Sequence, residues 1–120
     1  MIKRKEEFTP ELREHMRGGD GTVEVTNFVT EKELYDKGRL FGTIRLAPGC
    51  GIGYHVHEKD SELFYILKGT AVYTDGDEEK TVVAGDVTIT PAGTGHAIRN
   101  ESGEFFSSRS SCTHKTESIL

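Results

Sequence analysis

Two histidines, His55 and His57, stand two positions apart, with a carboxylate at Glu62 and a third imidazole far along the chain at His96. Three nitrogens, one oxygen and no sulfur form a ligand set for one divalent transition metal: Fe, Mn, Co, Ni, Cu or Zn rather than calcium. The spacing matters. Residues two apart on a β-strand point to the same face, so both imidazoles of the His-x-His pair can reach one ion. No single strand can surround a cation, so Glu62 and His96 must arrive from other strands. Burying four such groups without a metal would leave unpaired polar atoms at a cost. In an octahedral field four ligands leave two positions for water, dioxygen or a substrate.

The elements that must position these residues read as short strands. Fourteen of the 120 residues are glycine, well above the usual share, which points to tight turns between strands. Leu40, Gly42, Ile44 and Leu46 lie on one face of a strand, and residues 52–57 and 62–68 form two more. Asp75-Gly76-Asp77-Glu78 is a hairpin turn between strands 70–75 and 79–83. Val87 and Ile89 alternate before Pro91-Ala92-Gly93, and His96 shares a face with Ile98. Upstream, Thr9-Pro10-Glu11-Leu12 reads as a helix start that Gly18-Gly19 stops. Thr22 to Phe28 alternates as a strand, and Thr30 to Glu33 fits a capping box.

Composition sets limits. A chain of 120 residues suits one domain. A net charge of −5 argues against nucleic acid or an anionic membrane as the main partner. The longest apolar run, Leu63 to Leu67, is too short to span a bilayer, and the N-terminus lacks the apolar stretch of a signal peptide. Cys50 and Cys112 make no disulfide framework, so the expected location is the cytoplasm with both thiols reduced.

Two spaced patterns then carry a resemblance. The first is Gly49, five residues, His55-Val56-His57, four residues, Glu62, six residues, Gly69. The second is Gly85, five residues, Pro91-Ala92-Gly93, two residues, His96, three residues, Asn100. Together they resemble the two motifs of the cupin superfamily, complete and in order, separated by a short spacer. The resemblance implies an all-β double-stranded β-helix (a jelly-roll barrel), often dimeric, with a divalent metal on His55, His57, Glu62 and His96. On this reading residues 1–38 form an N-terminal helix and strand extension, 39–108 the barrel, and 109–120 a flexible tail.

The remaining candidates are assigned by alternation. Phe64 and Ile66 share the face of Glu62 and, with Val87, Ile89 and Ile98, are expected to line the pocket. Leu63, Tyr65 and Leu67 face the other way, so that strand is apolar on both faces and needs a cover. A second sheet, an N-terminal segment or a partner subunit could supply it; a homodimer is expected. Gly69, Gly85 and Gly93 turn barrel corners, Asn100 holds a turn, and His15 and His114 lie in the terminal segments. No catalytic acid or base can be named. The expected function is a metal-dependent enzyme on a small polar metabolite, an isomerase of a sugar-like substrate, a lyase or a dioxygenase. The alternative is a non-catalytic ligand-binding or sensing module.

Overall fold

The computed structural model describes residues 1–114. Ten strands follow one another: β1 Glu11–Glu14, β2 Thr22–Asn27, β3 Gly38–Leu46, β4 Gly51–Val56, β5 Asp60–Lys68, β6 Thr70–Asp75, β7 Glu78–Val83, β8 Val87–Thr90, β9 Gly95–Arg99 and β10 Phe106–His114. They form two antiparallel sheets, one ordered β1-β2-β3-β10-β5-β8 and the other β4-β9-β6-β7. This is the expected jelly-roll barrel. Its inward faces bury Val23, Ile44, Leu46, Phe64, Ile66, Ile98 and Phe106, among others, so alternation along each strand fills one core between the sheets.

Turn chemistry sets the strand order locally. Asp75 pairs with Glu78 across a two-residue loop, and Gly76 takes φ 63° there, a left-handed conformation that glycine adopts without a side-chain clash. The capping box is formed as well. The Glu33 amide donates to Thr30 Oγ1 at 3.2 Å, and the Thr30 amide donates to Glu33 Oε1 at 2.8 Å. The turn it caps is one 3-10 turn, Lys32–Leu34, and Gly38 already belongs to β3. Asn100 is buried, donates to the Leu46 and Glu104 carbonyls, and accepts from the Ser102 amide. It holds the turn after β9.

Three expectations are corrected. Residues 11–14 are not helical. They form β1 and pair with β2 from Glu11↔Val25 to Glu14↔Thr22, and the helical content nearby is a 3-10 turn at Met16–Gly18. The Thr-Pro start and the Leu12–Met16 spacing are compatible with either state, and pairing with the edge of an existing sheet outweighs local preference. The boundary at residue 109 is also wrong. β10 runs to His114 and lies between β3 and β5, one of the two central places in its sheet. Its serines and threonines hid it, because Ser108, Ser110 and Cys112 are small buried side chains rather than large apolar ones. The part of the expected tail from 115 to 120 lies outside the described residues.

Third, Val87 and Ile89 point outward. Each is more than half exposed, while Thr88 and Thr90 between and beyond them are buried. The strand alternates as expected with the opposite face inward, because Thr90 hydrogen-bonds inside the barrel. Among the described residues no helix is long and apolar enough to cross a membrane.

Candidate metal centre

The two sheets bring the four candidate ligands to one place. β4 pairs with β9 so that His55 stands directly opposite His96. His57 lies just beyond the end of β4, and Glu62 comes from β5 in the facing sheet. One donor atom from each of the four lies within 4.8 Å of all the others.

The far nitrogen of each imidazole fixes its orientation. His55 Nδ1 donates to the Gly53 carbonyl at 2.8 Å. His57 Nδ1 lies 3.0 Å from Asp60 Oδ1 and 3.2 Å from Arg39 Nη2. The shorter contact is to a carboxylate, which can only accept, so the proton sits on Nδ1. Arg39 is in turn held by Asp60, Nε to Oδ2, at 2.6 Å. His96 Nδ1 meets the Tyr73 hydroxyl at 2.8 Å and Thr90 Oγ1 at 3.1 Å, and those two hydroxyls contact each other. Partners of this kind set the tautomer and aim of metal-ligating histidines.

The near nitrogens of His55 and His57 therefore converge with their lone pairs, and His96 Nε2 joins them. Nε2 of His55 lies 3.0 Å from Nε2 of His57 and 3.1 Å from Nε2 of His96. Glu62 Oε1 is 2.9 Å from His96 Nε2 and 3.8 Å from His57 Nε2. Donors about 2.1 Å from a shared ion lie about 3.0 Å apart when their bonds meet at right angles. Bare lone pairs at that separation repel unless a cation stands among them, so the donor set fits a divalent transition metal.

Electrostatics agree. Burial holds the His55 and His57 imidazoles below their ordinary value, the Gly53 carbonyl and the Glu62 and Asp60 carboxylates opposing it only partly. Both are thus neutral, as ligation requires. For Glu62 burial works against ionisation. Without a metal, the His96 imidazole and the Cys112 thiol beside it, and then the nearby His57, overcome it and hold the carboxyl below the usual carboxylate range. The Cys112 thiol lies 2.9 Å from Glu62 Oε2; burial, and then the Glu62 charge, push it far up, so it stays protonated.

A cleft of about 440 Å³ opens onto His55, His57 and Glu62. Its apolar wall is Met16, Val25, Leu40, Ile44 and Ile52, and Arg13, Arg17 and Arg39 line it with Glu11, Glu14 and His15. The expected wall was different. Phe64 stacks on the His96 ring, centroids 5.8 Å apart, behind the ligands rather than before them. Ile66 and Ile98 belong to the buried core, and Val87 and Ile89 are outside. Alternation identified inward faces but could not separate the mouth of a barrel from its base.

Sequence reading also missed Asp60, Tyr73, Thr90, Arg39 and Cys112, which hold the ligands. Asp60 has a sequence signal, standing three residues from His57; the others come from distant strands. The N-terminal segment covers one side of the cleft. Gly19 and Gly53 have backbone atoms of the opposite segment where a Cβ would be, so the Met16–Gly18 turn rests directly on β4.

Residues 42–107 match the family model described as Cupin domain. The chain is 40% identical over 100 residues to an oxalate-binding protein of Thermotoga maritima, covering 83% of each chain. It superposes on the crystal structure of a predicted oxalate decarboxylase from Thermotoga maritima with a TM-score of 0.91 and 35% identity, over 96% of this chain and 100% of that one. The polyketide cyclase RemF of Streptomyces resistomycificus shares the fold alone, with a TM-score of 0.75 and 19% identity over 95% of this chain and 80% of that one. A ten-strand barrel closed around three convergent imidazoles and a carboxylate, with a family match over more than half of its length, places this chain in the cupin family.

Proposed function

We propose that this chain binds one divalent transition metal through His55, His57, Glu62 and His96 and uses it to hold a small oxygen-rich metabolite, with oxalate as the first ligand to test. The observation that carries the reading is the set of Nε2 atoms converging at 3.0–3.1 Å beside Glu62 Oε1. A bound divalent ion supplies Lewis acidity and a docking point for ligand oxygens. Arg17 lines the same cleft with Arg13, paired to Glu11, and Arg39, paired to Asp60, so guanidinium donors stand near the site for a carboxylate although Glu11 and Glu14 offset their charge. The oxalate names of the Thermotoga maritima matches support a small acid over a sugar-like substrate.

Turnover and plain binding are separated by where the buried ionisable groups go. His57, Asp60, Glu62, His96, Tyr73 and Cys112 are ligands or hold ligands through the contacts above. All are committed, so a proton-transfer group would have to come from Glu11, Glu14 or His15 on the cleft wall, and the reading taken first is binding. Calorimetric titration of oxalate into Mn(II)-loaded protein should give saturable binding that His57→Ala abolishes. Equal binding by metal-free protein, or none, would overturn the proposal; metal-dependent release of formate or CO2 from bound oxalate would replace binding with an enzyme.

We further propose a cytoplasmic homodimer. Cys50 and Cys112 are free thiols. Tyr65, Leu67, Val87 and Ile89 are exposed on the outer face of β5 and β8, where Tyr65 pairs with Val87 and Leu63 with Ile89. Among the described residues neither the second sheet nor the N-terminal segment covers this face, and a second copy is the cover we propose.

A further inference from the structure

We infer that Cys112 is a positioning residue that makes Glu62 offer one oxygen, not two, to the metal centre. The inference rests on the metal reading above and concerns how the carboxylate is presented. Cys112 lies in β10, directly across from Glu62 in β5, and both are buried, at 1% and 7% exposure. The two oxygens of Glu62 have separate fates. Oε1 is 2.9 Å from His96 Nε2, among the convergent donors. Oε2 is 2.9 Å from Cys112 Sγ.

A buried carboxylate oxygen needs a donor, and leaving it without one is costly. Here the thiol is the donor that Oε2 finds among the described residues. The sulfur itself does not join the ligand cluster. By drawing Oε2 toward β10, the S–H group keeps that oxygen out of the ligand circle. The position that a two-oxygen grip by Glu62 would fill then stays available to a ligand arriving with two oxygens of its own. Groups behind a metal ligand act in this way by fixing its orientation.

The test compares three variants by titration with Mn(II) alone and by the visible spectrum of the Co(II) form, which reports ligand number and geometry. Cys112→Ala and Cys112→Val remove the donor, the second while filling the space; Cys112→Ser keeps one. Loss of the donor frees Oε2 to reach the ion, so the Co(II) bands should move toward a higher ligand number and Mn(II) affinity should shift about tenfold, whereas Cys112→Ser should stay within about threefold of wild type with its bands retained. If Cys112→Ala does not fold, Cys112→Val against Cys112→Ser decides. Wild-type spectra and affinity in the donor-less variants, or equal losses in all three, overturn this role alone. Wild-type protein that takes up neither ion overturns the metal reading and this inference together.

Discussion

Asp60 bridges Arg39 and His57: its Oδ2 lies 2.6 Å from Arg39 Nε, and its Oδ1 lies 3.0 Å from His57 Nδ1. The carboxylate accepts a hydrogen bond from the His57 Nδ1–H and so leaves Nε2 bare for an ion. Asp60→Asn can still accept a hydrogen bond but carries no charge, and Asp60→Ala does neither. Metal affinity should fall in that order, by roughly 10–100-fold for the alanine variant, as measured by calorimetric titration with Mn(II). An alanine variant binding as tightly as wild type would remove Asp60 from the site.

Gly53 joins two roles. Its carbonyl accepts from His55 Nδ1, and a Cβ at this position would run into the Arg17 carbonyl and the Gly19 amide. An alanine there must push the Met16–Gly18 turn away from β4, since backbone cannot swing aside as a side chain can. Gly53→Ala should cost about 1–3 kcal/mol, the usual range for overpacking, and should speed tryptic cleavage after Arg17. Denaturant midpoints and limited proteolysis measure both, and an unchanged cleavage rate would mean that the turn is held by other contacts.

Acidification should destabilise the metal-free protein. His55 and His57 are held below the ordinary imidazole value, chiefly by burial. In the unfolded chain these groups take up protons as pH falls through about 6.5, whereas in the folded chain they resist until lower pH. Across that window the unfolded state binds more protons, so stability rises with pH and is lost as pH falls below about 6.5. Protons also compete with metal for the same nitrogens, so metal release follows the same direction. Urea unfolding of chelator-treated protein between about pH 5 and 7.5 checks the sign; a midpoint that rises on acidification would contradict it.

Ile89 is 61% exposed on β8, at the edge of the larger sheet. If a second copy covers this face, Ile89→Glu places a charge in an apolar interface and should convert a dimer to a monomer. Light scattering of both proteins at micromolar concentration gives the answer. A monomeric wild type would show that the face stays open to solvent.

The ligand types and their local geometry are legible along the chain. His55 and His57 share a face because a strand has a period of two, and the glycines, Asp75-Gly76 and Pro91-Ala92-Gly93 mark where strands must turn. Those are local facts, written in neighbouring residues. The rest came from long-range pairing. It set His55 opposite His96, chose Thr88 and Thr90 over Val87 and Ile89 as the inner face of β8, and drew β10 from an unpatterned stretch into the middle of a sheet. It also laid a strand where a helix start was written at Thr9-Pro10. The physical reason is that strand pairing and inner-face selection depend on partners dozens of residues away. A hydroxyl that bonds His96, or a thiol that bonds Glu62, can outrank hydrophobicity in choosing which side is buried, and no short-range pattern records such a partner.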